Sequence, residues 1–317
     1  MATQVSIASC GAYLAPAAAK EIFRGHIPLI AGQGAPVGRA DADSGGYRLN
    51  GNWSYGSGLL HSEWVHTGAV VHENDAARNY PGSLSADTRI FIVPIEHVEL
   101  RNNWDVMGLR ATGSVEYSIR DLFVPEDYTH RISANTPRSG GDLYRLGIVG
   151  LAALGHTGFT LGIARRLLDE IAHLAQTPTG RPAALSQQGG GEGFHSQYAR
   201  AEAQLRAARA FAFDVWDNIQ GTLAGGYDPE TRQITLARLA FINATSVATM
   251  IGNIAFDFGG GAAVRSSALQ RAFRDQRVGA QHFTASDVIV RECAKDLLGL
   301  APEKVWSGPK LIDANLR

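Results

Sequence analysis

The spacing of apolar residues changes once along this 317-residue chain, and that change constrains the fold more than any other feature. Between residues 27 and 131, large and polar residues alternate, and glycine pairs and Asp/Asn clusters separate the runs. Alternation with a period of two indicates strands with one buried face. After a glycine-containing linker at residues 138–141, long alanine- and leucine-rich segments follow. The pattern predicts an α+β protein in which six to eight short, mostly antiparallel strands, in a barrel or sandwich, precede a wholly helical domain.

The helical half contains four long segments. They are residues 142–176, 194–223, 228–258 and 287–298. Asp228 is the predicted N-cap of the third segment, with Pro229 at its first helical position, and the triple glycine at residues 259–261 should end it. The sequence therefore predicts an antiparallel four-helix bundle, with a long Pro/Gly loop at residues 177–193.

The composition argues against several classes of function. The formal net charge is -1, so nothing attracts the chain as a whole to nucleic acid or to an anionic membrane. The first residues lack the features of a secretory signal, and the longest apolar run, residues 147–154, is too short to span a bilayer. Cys10 and Cys293 lie far apart, which predicts two reduced thiols in a cytoplasmic protein. Three histidines between residues 61 and 72 lack metal-ligand spacing, so no metal site is predicted.

Residues 104–125 (WDVMGLRATGSVEYSIRDLFVP) indicate a strand, a glycine turn and a second strand. Two glycines within six residues allow a tight turn or a close approach to another group, and Arg110 and Ser114 add a cation and a hydroxyl. A break in the alternation at Arg120 and Asp121 predicts a β-bulge. Taken alone, the GxxxxGS motif is more typical of a hairpin turn than of a phosphate site.

Residues 258–282 (FGGGAAVRSSALQRAFRDQRVGAQH) indicate the glycine-rich end of one helix and the basic start of another. A triple glycine before a helix N-terminus can bind an anion, because free N–H groups and the helix dipole point towards it. Arg265, Arg271 and Arg274 add cations nearby. The alternative interpretation is a helix stop followed by solvated arginines.

Residues 47–58 (YRLNGNWSYGSG) combine aromatic and hydroxyl side chains on one β segment. Such a segment offers a flat apolar wall with hydrogen-bonding groups beside it, which suits a planar heteroaromatic cofactor. The alternative is an ordinary strand with Trp53 in the core and Ser57 in a turn.

The order of these segments, with a β region before long helices, resembles the acyl-CoA dehydrogenase superfamily. Within it, the chain is most similar to the flavin-dependent two-component aromatic hydroxylases, the group that includes dibenzothiophene monooxygenase. The resemblance implies three parts: a remnant of an N-terminal helical domain at residues 1–26, a β domain at 27–133 and a helical bundle at 134–317. In the family, the N-terminal domain closes one side of the substrate pocket. Pro16 interrupts the helical pattern of residues 7–24, which predicts one short helix or two pieces there.

The resemblance also implies candidate cofactor-binding residues. Tyr55 and Ser57 would lie against the flavin isoalloxazine ring, and Ser57 would hydrogen-bond the flavin edge near N5. Gly259 and Gly260, with the basic stretch that contains Arg274, would lie near a flavin phosphate, often that of a neighbouring subunit. That arrangement implies an oligomer, commonly a homotetramer.

One position separates the two chemistries of the superfamily. In common acyl-CoA dehydrogenases, a glutamate eight residues after the aspartate of an Arg–Asp pair removes the proton α to the thioester carbonyl. The same distance after Asp275 leads to Phe283, which cannot accept a proton. His282 resembles the histidine that the aromatic hydroxylases place over the flavin, where it could deprotonate a phenol or stabilise a peroxide proton. The resemblance thus implies His282 and Ser57 as catalytic residues, with a purely structural histidine as the alternative.

The chain is therefore expected to be the oxygenase component of a flavin-dependent monooxygenase. It would use O2 and FMNH2 or FADH2, delivered by a flavin reductase, to hydroxylate an aromatic or heteroaromatic small molecule. Loose flavin binding is expected, because residues 176–180 lack the arginine and the Phe-Gly pair that often hold FAD in the family. Two alternatives are an acyl-CoA dehydrogenase-like FAD oxidoreductase and a catalytically silent subunit of a hetero-oligomer.

Overall fold

The computed structural model describes residues 9–72, 87–177, 182, 185 and 191–314, so most of the predicted loop at 177–193 lies outside the described residues. The first described residues form a 3₁₀ turn at Ser9–Ala12 and helix α1 at Pro16–Ile22. Of the two predictions for residues 7–24, one helix or two pieces, the structure shows two pieces. Pro16 occupies the first helical position, where the missing N–H removes no intrahelical hydrogen bond. It therefore starts a helix.

Seven strands form one sheet. They are β1 (Ile30–Asp43), β2 (Gly46–Gly56), β3 (Trp64–His72), β4 (Thr88–Pro94), β5 (Glu99–Arg101), β6 (Val115–Pro125) and β7 (Thr129–Arg131). Their order is β5-β6-β2-β1-β3-β4-β7. Because β1 and β3 alone run parallel, the predicted mostly antiparallel pairing is confirmed. The predicted barrel or sandwich is not confirmed, because the described strands of this domain make a single sheet. The strands were also predicted to be short, whereas β1, β2 and β6 are long.

Trp53 lies at the centre of the sheet's core and is 2% exposed. Its indole Nε1 donates to the carbonyl oxygen of Gly68 at 2.9 Å, and its ring stacks on Tyr117 with the centroids 5.3 Å apart. The Tyr117 hydroxyl in turn donates to Thr67 Oγ1 and accepts from the backbone N–H of Gln33. The interpretation that placed Trp53 in the core is therefore confirmed.

The predicted strand before the glycine turn is wrong. Residues 104–109 contain no strand, and a 3₁₀ turn at Arg110–Thr112 leads directly into β6. Leu109 and Gly113 both adopt left-handed conformations on either side of that turn. The reason is tertiary, since the N–H of Leu109 donates to Asp275 Oδ1 at 2.6 Å and so is bonded to the helical domain.

The predicted bulge in β6 is confirmed at Arg120 and Asp121. The register between β2 and β6 shifts between Leu49 and Gly51, and Asp121 has a φ of 44°. The side chain of Asn50 accepts a hydrogen bond from the Asp121 N–H at 2.8 Å, which stabilises the extra residue.

Six helices follow the sheet among the described residues. They are α2 (Gly147–Gln176), α3 (Gly191–Ala224), α4 (Thr231–Gly259), α5 (Gly261–Val264), α6 (Ala268–Gly279) and α7 (Asp287–Leu297). The three long helices share a buried core that α6 also enters, with residues such as Leu168, Leu205, Ile251 and Leu269. The predicted four-helix bundle is not confirmed, because α6 packs against both α2 and α4.

The N-cap of α4 was predicted two residues too early. Glu230 is the N-cap, and its side chain and that of Gln233 form a capping box. Asp228 instead accepts a hydrogen bond from Arg145 Nε at 3.0 Å. The predicted stop at the triple glycine is confirmed, since α4 ends there and Gly260 has a φ of 52°.

The expectation that the chain is wholly helical after residue 141 is also wrong. Strands β8 (Lys304–Ser307) and β9 (Lys310–Asp313) form a hairpin. Trp306 anchors it to α4, because its Nε1 donates to Thr235 Oγ1 at 2.9 Å. These strands are four residues long, too short for a clear alternation in the sequence.

Cys10 and Cys293 are unpaired and buried, and burial raises the pKa of the thiols to about 12 and about 11, respectively.

Among the described residues, Asp142–Gln176 and Thr231–Gly259 are helical, long and apolar enough to cross a membrane by length and composition. The longest uninterrupted apolar run, residues 147–154, does not predict this property, because polar residues interrupt both helices. The core helix of a soluble protein passes the same test. The buried share of the most apolar window is 56% in Thr231–Gly259 and 22% in Asp142–Gln176.

Buried histidines make the stability of this fold depend on pH. Burial lowers the pKa of His66 to about 3 and that of His130 to about 4, against about 6.5 in an unfolded chain. The unfolded state therefore binds more protons between those values. We expect the free energy of unfolding to fall as the pH drops below about 6.5, by at most about 1.4 kcal/mol per pH unit for each histidine. Urea denaturation at several pH values measures this slope, which His66→Asn should flatten and the exposed His173→Asn should not.

Candidate functional site

A cleft of about 440 Å³ lies where the β domain meets helix α6. The residue that follows β2, Ser57, borders it on one side, and the 3₁₀ turn at Arg110–Thr112 forms a second wall. Arg271, Arg274 and Asp275 of α6 complete the lining. Two of the residues predicted to bind a cofactor, Ser57 and Arg274, thus meet at one site although more than two hundred residues separate them.

Two hydrogen bonds hold α6 against the turn and fix the width of the cleft. Asp275 accepts from the N–H of Leu109, and Arg274 Nη1 donates to the carbonyl oxygen of Met107 at 2.7 Å. A Cβ atom at Gly108 would lie 2.2 Å from the carbonyl oxygen of Arg274, so only glycine permits this approach. The first glycine of the GxxxxGS motif is therefore explained by contact between domains.

Three hydroxyl groups form a chain of hydrogen bonds along the wall of the cleft. Ser57 Oγ lies 2.7 Å from Ser114 Oγ, which lies 2.7 Å from Thr112 Oγ1. Thr112 Oγ1 donates to the carbonyl oxygen of Leu109 at 2.7 Å. Ser57 and Thr112 line the cleft, whereas Ser114 is buried behind them. The wall therefore presents oxygen atoms whose orientation is fixed.

Three arginines against the carboxylate of Asp275 give the cleft a net positive charge. None of Arg110, Arg271 and Arg274 forms an ion pair with a carboxylate among the described residues. In addition, Arg274 Nε is buried and has no hydrogen-bond partner in that part of the chain. Unpaired guanidinium groups beside hydroxyl groups form a suitable site for an anionic group such as a phosphate.

The other predicted cofactor residues lie outside this lining. Tyr55 is 63% exposed, has a φ of 61°, and its ring contacts the edge of Trp104 with the centroids 6.1 Å apart. Gly259 and Gly260 are at the opposite end of the α5–α6 segment, where the side chains of Leu269 and Pro182 lie close to them. The structure therefore unites Ser57 with Arg274 but does not bring the two glycines to the same cleft.

His282 lies beyond the C-terminal end of α6 and is not part of the cleft lining. Its Nδ1 accepts a hydrogen bond from the N–H of Thr284 and lies 2.6 Å from Thr284 Oγ1. The backbone N of Thr284 is 3.4 Å from Nδ1, and a neutral His282 with its proton on Nε2 is the tautomer that lets Nδ1 accept from both the N–H and the hydroxyl of Thr284. Burial first, and then the charge of His156, lower the pKa of His282 to about 4. At neutral pH, His282 is therefore an uncharged donor through Nε2.

A second imidazole lies against His282. The ring of His156, from α2, has its centroid 4.3 Å from that of His282, and it also lies 6.0 Å from Phe241 of α4. Burial lowers the pKa of His156 as well. Phe283, which follows His282, is 63% exposed. His156 was not among the predicted site residues, because a single histidine within an apolar helix forms no motif. Its one signal is a polar residue at a partly buried helical position.

Comparison with known proteins identifies the class to which this fold belongs. Residues 154–287 match the family described as acyl-CoA dehydrogenase, C-terminal domain. The fold is similar to that of XiaF from Streptomyces sp., solved in complex with FADH2 and glycerol. The TM-score is 0.79 at 22% identity, over 95% of this chain and 76% of that one. The fold is thus acyl-CoA dehydrogenase-like, and the predicted resemblance to that superfamily is confirmed.

The relatives that the chain resembles in sequence are named as monooxygenases or hydroxylases. It is 29% identical to indole-3-acetate monooxygenase of Pseudomonas putida over 283 residues, which are 86% of this chain and 68% of the relative. It is 33% identical to the oxygenase component of the FADH2-dependent resorcinol hydroxylase of Rhizobium sp. over 123 residues, 37% of this chain and 27% of that protein. The predicted class, a flavin-dependent oxidoreductase of the monooxygenase type, is therefore confirmed.

Proposed function

We propose that this chain is the oxygenase component of a flavin-dependent monooxygenase that hydroxylates an aromatic or heteroaromatic small molecule. One observation carries the proposal. Beyond the end of α6, at the position where a dehydrogenase would need a carboxylate, the chain has the exposed ring of Phe283 and the Nε2–H of His282. Neither group removes a proton α to a thioester at neutral pH, because one has no basic atom and the other carries its proton on the free nitrogen.

The residues at the cleft fit a reduced flavin. Met107, Leu109 and Ala111 provide apolar surface, Ser57 provides a hydrogen-bonding oxygen, and the three arginines provide charge for phosphate. FMNH2 or FADH2 bound there would supply the activation of O2. Ser57 would hold the ring edge near N5, and Arg274 would contribute to phosphate binding.

His282 would act on the oxygen atom that is transferred. Its Nε2–H is a fixed donor because Thr284 holds Nδ1, and its low pKa keeps it uncharged. A preoriented donor in a partly desolvated site stabilises negative charge that develops on a neighbouring oxygen. This role needs no change in protonation before the reaction, unlike the role of a general base.

Partners and substrate follow from the same proposal. A flavin reductase would supply the reduced flavin, in keeping with the name of the resorcinol hydroxylase component. The names of both relatives, with indole-3-acetate and resorcinol, support an aromatic substrate. Gly259 and Gly260 would serve the flavin phosphate of a neighbouring subunit in a homotetramer. Its place of action would be the cytoplasm.

The proposal is tested by mixing the chain with chemically reduced FMN or FAD, 18O2 and a panel of indoles and phenols. We expect one 18O atom in the product and the other in water, with the two electrons supplied by the flavin. Catalase and a reaction without the chain control for the hydrogen peroxide that free reduced flavin generates. Oxidation of an acyl-CoA by the chain with oxidised FAD would support the dehydrogenase alternative. A chain that binds no flavin in either redox state would support the silent-subunit alternative.

A further inference from the structure

The three hydrogen-bonded hydroxyl groups of Ser57, Ser114 and Thr112 can donate in only one order. The contact between Thr112 and Leu109 determines that order. The carbonyl oxygen of Leu109 can only accept, so the proton in its 2.7 Å contact with Thr112 Oγ1 belongs to Thr112. Thr112 therefore has no proton left for Ser114, and Ser114 must donate to Thr112. By the same argument, Ser57 must donate to Ser114. All three hydroxyl protons point away from the cleft.

Backbone hydrogen bonds hold this row of three hydroxyl groups in place at both ends. Leu109, the final acceptor, is bonded through its own N–H to Asp275 of α6. At the other end, the N–H of Gly58 donates to the carbonyl oxygen of Thr112 at 2.8 Å, which holds the residue after Ser57 against the turn. The carbonyl oxygen of Leu109 also accepts from the N–H of Thr112 at 3.1 Å and from Trp104 Nε1 at 3.3 Å. The direction of the Thr112 hydroxyl is set by its 2.7 Å contact with that oxygen, because two oxygen atoms this close without a proton between them repel each other.

Ser57 consequently offers only lone pairs to the cleft. Among the described residues, no donor other than Ser114 lies within hydrogen-bond distance of Ser57 Oγ, and the proton between those two atoms is that of Ser57. A ligand atom that meets Ser57 from the cleft is therefore required to be a donor.

We propose that Thr112 and Ser114 make this site selective for the reduced form of the flavin, because they hold Ser57 as a hydrogen-bond acceptor. N5 of a reduced flavin carries a hydrogen and can donate to that oxygen. N5 of an oxidised flavin has a lone pair, which would face the lone pairs of Ser57. The inference rests on the proposed flavin site and adds to it the residues that determine the preferred redox state. An oxygenase that receives reduced flavin and releases oxidised flavin at each turnover would gain from this preference.

The test compares the affinities of FMN and FMNH2 for variants in which the chain of hydroxyls is broken. In Thr112→Val, Ser114 loses its acceptor and can donate to Ser57 instead, so that the Ser57 proton turns into the cleft. Ser114→Ala releases the same proton by a different change. In both variants we expect the ratio of the FMN and FMNH2 dissociation constants to fall about tenfold, the effect of exchanging one hydrogen bond. Anaerobic fluorescence titration measures the two constants.

A second readout is the midpoint potential of the bound flavin. Preferential binding of the reduced form raises this potential above that of free flavin, and the loss of a tenfold preference would lower it by about 30 mV for a two-electron couple. Ser57→Ala should weaken FMNH2 binding, because the acceptor for N5–H is lost, and should relieve the lone-pair repulsion that disfavours FMN, so the dissociation-constant ratio should fall in this variant as well. Thr222→Val is the matched control, because its hydroxyl donates to the carbonyl oxygen of Asn218 at 3.3 Å and accepts from Gln233 Nε2 at 2.7 Å, and both partners lie outside the cleft lining.

The outcomes separate this inference from the proposed function. If the wild-type chain binds flavin but Thr112→Val and Ser114→Ala both retain its dissociation-constant ratio, the directional chain does not set the preference and the inference is wrong. If the wild-type chain binds neither FMN nor FMNH2, the proposed function fails and this inference fails with it. A fall in the ratio in both variants, with no change in Thr222→Val, supports the inference whatever substrate the enzyme hydroxylates.

Discussion

His282→Ala is expected to lower product formation by about a hundredfold or more, while reduced flavin binds with nearly unchanged affinity. The residue lies beyond the cleft that Ser57 and Arg274 line, so its loss removes no contact with the flavin phosphate or with the edge near N5. What it removes is the Nε2–H donor whose orientation Thr284 and His156 fix. Single-turnover product yield and anaerobic FMNH2 titration measure the two quantities separately.

Two further variants define the role of His282. His282→Gln keeps an N–H donor on a flexible side chain and should recover part of the lost yield, whereas a general base would not be replaced by an amide. His173→Ala, at an exposed position of α2, is the control for removing an imidazole elsewhere. In His282→Ala, O2 consumption should continue with hydrogen peroxide as the product. Full hydroxylation by this variant would remove His282 from the mechanism.

The sequence was informative about the fold wherever local geometry decides the structure. The bulge at Asp121 and the triple glycine each act through their own backbone, and each has the expected effect. Pro16 was expected to end or kink a helix and instead starts one, because its missing N–H removes no hydrogen bond at the first helical position. The expectation failed at residues 104–109, where a pattern that suits a strand is overridden by a hydrogen bond to Asp275. It failed again at Asp228, because Arg145 binds that carboxylate and Glu230 caps the helix instead.

For the site, the resemblance named single residues, but their relations come only from the structure. Ser57 was predicted to be a hydrogen-bonding residue. Whether its hydroxyl donates or accepts in the cleft depends on Thr112 and Ser114, which are more than fifty residues away in sequence. The resemblance implied that His282 is a base or stabilises a peroxide proton, and the proposed choice of the second role rests on the contact with Thr284, which the sequence does not reveal. His156 approaches His282 only because α2 packs beside the end of α6. Proton positions and ring contacts of this kind are not encoded in local spacing.

Trp53→Ala is expected to lower the free energy of unfolding by about 3–5 kcal/mol, the range for truncating a large buried aromatic residue. The cavity should persist because the neighbouring backbone has no side chains to fill it. A Cβ atom at Gly38 would lie 2.2 Å from the Trp53 ring, and one at Gly51 would lie 2.5 Å from it. The substitution also leaves the carbonyl oxygen of Gly68 without its donor and removes the stacking on Tyr117.

Urea denaturation of Trp53→Ala, Trp53→Phe and Trp104→Ala separates these contributions. Trp53→Phe keeps a ring against Tyr117 and loses mainly the hydrogen bond, so about 1–3 kcal/mol is expected. Trp104 is only partly buried and contacts Tyr55 through its edge, so its truncation should cost less than that of Trp53. Since Trp53 precedes Ser57 by four residues on the same segment, its loss should also weaken flavin binding at temperatures where the domain is still folded. Equal losses for Trp53→Ala and Trp104→Ala would mean that the two glycines collapse onto the vacated space and that the sheet does not depend on this ring.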